Sequence, residues 1–80
     1  METVQAGKLV RRISIRQLQV FEAVARLLSY TRASEELYLS QPTVSLQIKK
    51  LETDIGLALT EQVGKKVSLT EAGKAMYQTS

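Results

Sequence analysis

Ser29-Tyr-Thr-Arg-Ala-Ser-Glu-Glu-Leu-Tyr-Leu-Ser-Gln-Pro-Thr-Val-Ser-Leu-Gln-Ile-Lys-Lys-Leu51 is the stretch that decides the fold. It reads as two short helices joined by a tight turn. With successive residues about 100° apart, Ile48, Leu51 and Ile55 fall within roughly 40° of Val44, and these four form one buried stripe. Pro42, Leu46, Lys49 and Thr53 occupy the opposite pole, and Thr43, Ser45 and Lys50 flank it. A helix with an apolar seam inward and hydroxyls, amides and ammonium groups outward is built to meet a polar, anionic partner. Leu46 is the odd residue on that outer face. On an ordinary surface helix it has nothing to pack against, whereas in a DNA major groove it can touch a thymine methyl.

Cap residues bound the helices on either side. Thr31 is expected to cap the first helix of the pair, with Glu35 and Glu36 near its start and Ala33 and Leu37 inward. Ser40 caps the second helix, and Pro42 sits in its first turn, where a missing N–H costs nothing. Gly56 suits the left-handed position at its end, with Leu57 folding back as apolar partner. Upstream, Ser14 and Gln17 have the spacing of a capping box. The helix they open is expected to turn Leu18, Phe21, Ala25 and Leu28 inward, with Val24 beside them. Arg16 lies in its first turn, against the helix dipole, either as an ordinary surface residue or offset by a nearby phosphate.

Downstream of Gly56 the period changes to two. Leu57 and Leu59 alternate, Val63-Gly64-Lys65-Lys66 turns, and Val67 and Leu69 alternate again, which predicts a short hairpin with a basic tip. Thr70 opens a last helix with Ala72, Ala75, Met76 and Tyr77. These apolar residues have no evident partner in so small a domain, and the same helix of a second copy would cover them. So short a helix buries little, so a monomer or weak dimer is expected alone and a pair on a two-half-site duplex. Tyr30, Tyr38 and Tyr77 read as packing residues. The expected organisation is a flexible arm over 1–12, a reading domain over 13–69, and over 70–80 the truncated start of a linker and dimerisation helix. Arg11 and Arg12 in the arm could brush phosphate, although a flexible leader is the simpler reading.

Totals narrow the class. Eighty residues without cysteine or histidine exclude a disulfide framework and thiolate or imidazole metal sites, and fit a reducing cytoplasm. No apolar run is long enough to span a membrane. The net charge of +3 is unevenly spread: residues 8–50 carry eight basic against three acidic side chains, residues 51–80 three against four. Basic charge therefore gathers beside the exposed helix face. No nucleophile with a base, paired carboxylates or Gly-rich phosphate loop appears, so no enzyme is indicated and no cofactor is implied.

Arg16-Gln-Leu18 with Phe21, Ser29-Tyr-Thr-Arg-Ala33, Leu39-Ser-Gln-Pro-Thr-Val-Ser45 with Gln47-Ile-Lys-Lys-Leu-Glu52, and Leu69-Thr-Glu-Ala-Gly73 together resemble the N-terminal DNA-binding domain of LysR-type transcriptional regulators. The likeness covers roughly residues 14–80. Glu61-Gln-Val-Gly-Lys-Lys66 looks most like the CbbR-type branch, which controls carbon-fixation genes. The resemblance implies a mainly α winged helix-turn-helix: a three-helix core, a short β-hairpin wing and the start of a linker helix through which two subunits pair. It also implies binding to an inverted-repeat duplex, with a small-molecule effector held only by a C-terminal domain that these 80 residues do not include.

Carried over by position, Thr31 and Arg32 would hold phosphate at a helix start. Gln41, Pro42, Thr43, Ser45 and Leu46 would face base edges, and Lys49 and Lys50 would hold backbone. Lys65 and Lys66 would reach phosphate or the minor groove from the wing, and Thr70 would touch phosphate. Leu46 stands where many members carry arginine, which removes arginine-to-guanine readout there. Thr60 and Gln62 stand where many carry phenylalanine and arginine, which questions how the wing is anchored. Two simpler readings compete: a hairpin tip can carry lysines only to discourage edge pairing, and a winged helix can serve as a protein-interaction module without binding DNA.

Overall fold

The computed structural model describes residues 14–64 and 66–79. Its elements run α1 (Ile15–Leu27), α2 (Tyr30–Leu37), α3 (Gln41–Ile55), β1 (Thr60–Val63), β2 (Lys66–Leu69) and α4 (Glu71–Thr79). The arm over 1–12, with Arg11 and Arg12, and Lys65 at the hairpin tip lie outside the described residues.

The capping box at Ser14 forms as expected: its hydroxyl accepts the Gln17 N–H at 3.1 Å, and the Ser14 N–H donates to Gln17 Oε1 at 2.6 Å. Gln17 Nε2 then donates to Asp54 Oδ2 at 3.4 Å, near the far end of α3. With both ends of its amide engaged, Gln17 is only 3% exposed. Its burial sets the rotation of α1. Gln17, Val20, Phe21 and Val24 face inward with Ala23 and Ala25, while Leu18 and Leu28 are exposed. Phe21, Val24 and Ala25 are thus inward as expected, whereas Leu18 gives up its place to the buried Gln17 and Leu28 lies outside as the C-cap.

Helix α2 starts earlier than expected. Ser29, in extended conformation, is the cap and accepts the Arg32 N–H at 3.1 Å, which leaves Thr31 inside the first turn. Both residues are good cap formers, and the one nearer the α1 end takes the role. Ala33 is fully buried. For α3, Ser40 caps through the Thr43 N–H at 3.2 Å, Pro42 lies in the first turn, and Gly56 ends the helix at φ +85°. Val44, Ile48 and Leu51 are buried as the periodicity requires. Leu57 does not fold back; it is exposed.

The three helices pack on one another around Val20, Phe21, Val24, Ala33, Val44, Ile48 and Leu51, and Leu59, just before β1, and Val67 of β2 close the core. Strands β1 and β2 pair antiparallel with Thr60 opposite Leu69 and Val63 opposite Lys66. Gly64 takes φ +65°, the left-handed conformation a two-residue turn needs. Thr70 caps α4 by accepting the Gly73 N–H at 3.1 Å. Ala72, Met76 and Tyr77 pack against this same core, so the apolar side of α4 is largely covered within the chain, contrary to the sequence expectation, and only Ala75 of that set is exposed.

Among the described residues, two non-glycine residues end helices in left-handed geometry, Leu28 at φ 51° and Tyr38 at φ 57°. Tyr38 is 95% exposed, so it is not the packing residue expected. A Cβ in that conformation costs about 1–2 kcal/mol, against about 0.5–1 kcal/mol of chain entropy for glycine. Tyr38→Gly is therefore expected to stabilise the fold by about 0.5–1 kcal/mol, a rise in Tm of a few degrees by thermal denaturation. An unchanged or lower Tm would mean that the tyrosine ring contributes a contact that offsets its backbone conformation.

Candidate nucleic-acid interface

The outer face of α3 is built from the positions its inner stripe leaves over. Gln41, Pro42, Leu46, Lys49 and Lys50 are exposed, and Thr43 and Ser45 are half-buried. Leu46 keeps 51% of its surface in solvent. The Thr43 hydroxyl is shared with Ser40 Oγ at 2.7 Å, so it serves the cap as well as the outer face. Gln41 Nε2 donates to Thr31 Oγ1 at 2.8 Å, which ties the start of α3 to the start of α2.

Two of the grooves beside this face gather several of the residues picked from sequence. One, about 200 Å³, lies between the helix pair and the hairpin and is lined by Ser29, Tyr30, Thr31, Gln41, Gln62 and Lys66 among others. It brings three of the residues picked from sequence, Thr31, Gln41 and Lys66, into one polar recess. The other, about 470 Å³, runs between the start of α1 and α3 and is lined by Gln17, Leu46, Lys49, Lys50, Thr53 and Asp54. Arg16 and Arg32 are exposed in the first turns of α1 and α2. Thr70 stands apart. Its hydroxyl hydrogen goes to the Ala58 carbonyl at 2.6 Å and its N–H to the Leu59 carbonyl at 3.1 Å, so touching phosphate would require releasing one of those bonds.

The hairpin is held by a residue that the sequence reading passed over. Glu52 Oε2 accepts the Leu59 N–H at 2.8 Å and the Thr60 N–H at 3.1 Å, and the Thr60 hydroxyl lies 3.4 Å away. Tyr30 Oη is 3.0 Å from Thr60 Oγ1. The carboxylate can only accept, so the chain runs from the Tyr30 hydroxyl to the Thr60 hydroxyl to Glu52. Thr60 thus anchors the wing through hydrogen bonds to α2 and α3, where an apolar residue would have anchored it by packing. The signal available in sequence was weak: a carboxylate one turn before the Gly56 break, able to cap backbone donors that follow.

Charge is sorted in the same pattern. Arg26 donates to both Glu22 and Glu36, clamping α1 to the end of α2. Its hydrogen bonds to Glu22 and then to Glu36 hold the guanidinium protonated beyond the ordinary range, and Arg26 in turn lowers the Glu36 carboxyl. Lys74 pairs with Glu71 at 3.9 Å. Among the described residues, the cations left without a carboxylate partner are Arg16, Arg32, Lys49, Lys50 and Lys66. Lys65 lies outside the described residues. No cluster of potential metal ligands occurs among the described residues, and no helix there is long and apolar enough to cross a membrane.

Comparison with known proteins shows the family and the fold. Residues 15–74 match the family described as bacterial regulatory helix-turn-helix protein, lysR family. The chain is 62% identical over 68 residues to a RuBisCO operon transcriptional regulator of Allochromatium vinosum, covering 85% of this chain and 22% of that protein. It is 56% identical over 59 residues to the HTH-type transcriptional regulator CbbR of Rhodospirillum rubrum, covering 74% of this chain and 20% of the relative. The chain thus spans about a fifth of the length of these relatives. Among solved structures, a complex of the CbnR DNA-binding domain with DNA superposes with a TM-score of 0.78 at 36% identity, over 82% of this chain and 76% of that one.

Proposed function

Since the chain belongs to the lysR family of bacterial regulatory helix-turn-helix proteins, we propose that it binds double-stranded DNA as the reading domain of a transcription regulator, with α3 in the major groove. Relatives carry names of RuBisCO operon regulators, and carbon-fixation genes are the targets this reading assigns to the parent protein in the cytoplasm. Residues 13–69 form the reading unit, and the helix opening at Thr70 begins the segment through which two subunits pair on an inverted repeat. An effector would act through a further domain, as the family resemblance implies.

One observation carries the reading. Among the described residues, every cation on the predicted contact positions lacks a carboxylate partner, whereas Arg26 and Lys74, which lie off those positions, are both paired. In this reading Gln41, Pro42, Thr43, Ser45 and Leu46 face base edges. Arg16, Thr31, Arg32, Lys49 and Lys50 hold phosphate, and Lys65 and Lys66 extend the contact from the wing. Thr70 contributes only if it gives up its bond to Ala58.

Titration against random duplex at two salt concentrations tests it. Phosphate contacts release counterions, so affinity should fall steeply with salt, whereas a protein-interaction module would show no such slope. Changing Lys65 and Lys66 together to Ala should weaken all sequences alike and flatten the slope by about one to two units. An unaltered slope in that variant would mean the wing stands clear of the duplex.

A further inference from the structure

Resting on the placement of α3 in a major groove, we propose that Leu46 is a specificity-determining residue that reads the C5-methyl group of a pyrimidine. The domain would then prefer thymine to cytosine at one position of each half-site, and would accept 5-methylcytosine there as thymine's equivalent.

Leu46 lies at the pole opposite Val44, Ile48 and Leu51, so no core contact explains it, and half its surface remains in solvent. Pro42 is exposed one turn earlier on the same side, so the two make an apolar ridge within an otherwise polar face. Leu46 also lines the groove shared by Lys49, Lys50 and Gln17. The lysine stems can close around an inserted methyl while their ammonium groups stay in water or on phosphate.

A leucine offers base edges neither donor nor acceptor. The thymine methyl is the one apolar group that a base pair presents in the major groove. Opposite a guanine edge, or a cytosine without a methyl, Leu46 would displace water and gain neither a hydrogen bond nor an apolar contact in return. The side chain therefore rewards a methyl and penalises the alternatives. It is blind to the difference between thymine O4 and cytosine N4, so a methyl on cytosine should serve as well.

Single thymine-to-deoxyuridine replacements in the tightest duplex recovered by selection from random sequence test this, since each removes one methyl and leaves every hydrogen-bonding group in place. One thymine per half-site should cost about threefold to tenfold in affinity on losing its methyl. Leu46→Ala should bind the thymine and deoxyuridine duplexes equally, and Leu46→Arg should move the preference at that position to guanine. Placing 5-methylcytosine there should bind the original chain more tightly than cytosine. Far-ultraviolet circular dichroism of both variants checks that they fold, and the deoxyuridine series on the unaltered chain stands without them. Steep, salt-dependent binding with no thymine sensitive to its methyl would overturn the proposal and leave DNA binding intact. A methyl effect that persists in Leu46→Ala would also overturn it, by assigning the contact to another side chain. Loss of salt-dependent binding to random duplex would remove the underlying placement and the proposal together.

Discussion

Gly73→Ala is expected to cost about 3 kcal/mol or more of stability, although alanine is the better helix former by about 1 kcal/mol. A Cβ at position 73 would meet the Leu59 carbonyl oxygen at 2.0 Å and its carbon at 3.0 Å. Both belong to backbone, so no side chain can swing aside. The same carbonyl accepts the Thr70 N–H, which pins it where the methyl would go. Relief requires α4 to lift from the hairpin, and that uncovers Leu59, Val67 and Met76 together. Denaturant titration of the two chains measures the difference. A midpoint equal to or above that of the unaltered chain would mean that α4 can shift without loss, and that its seat on the hairpin is loose.

Glu52→Ala is the second large effect. It leaves the Leu59 and Thr60 N–H groups without their acceptor, one of them on a residue only 1% exposed. Two hydrogen bonds to a charged group are lost at a partly buried site, and about 2–4 kcal/mol of stability should go with them. The effect should reach DNA as well. A hairpin no longer held to α3 presents Lys65 and Lys66 in many orientations, so the salt slope should drop towards that of the double lysine variant. Glu52→Gln keeps an acceptor oxygen and should sit between the two. If Glu52→Ala kept both its stability and its slope, hydrophobic packing of Leu59 would be the real anchor, and the hydrogen-bond chain from Tyr30 would be incidental.

How much of this was legible in sequence depended on what each residue answers to. Val44, Ile48 and Leu51 answer to helical period alone, and the fold buries all three. Ser14, Ser40 and Gly56 answer to local hydrogen bonding, and each caps as its chemistry requires. The hairpin followed from a change of period and a glycine in the turn, although its strands begin at Thr60, not at Leu57. Misreadings arose where tertiary partners decide. Gln17 is buried because Asp54, far along the chain, satisfies its amide. Ser29 displaced Thr31 as the cap, and Thr31 became the acceptor for Gln41. Glu52 and Gly73 both act on Leu59, and neither contact leaves a mark in local pattern. At the candidate interface the outer face of α3 was readable, because polar groups at regular spacing need no partner to be seen. The recess joining Thr31, Gln41, Gln62 and Lys66 was not, since it depends on where the hairpin comes to rest.

The division between paired and unpaired cations bears on how the domain arrives. Arg26 and Lys74 lie within contact distance of carboxylates, so their fields cancel a short way from the surface. The five described cations without such partners sit at the starts of α1 and α2, along α3 and on the wing. An approaching polyanion is therefore pulled by those groups before any contact forms, within a screening length of about 8 Å at physiological salt. On the proposed reading, that pull would exert a torque as well as an attraction, and it would turn α3 towards the duplex during diffusion. Steering of this kind raises association rates by about 10-fold to 1,000-fold at low ionic strength. Orientation would then be selected in flight, and a search along DNA would begin with the reading helix already turned towards the groove.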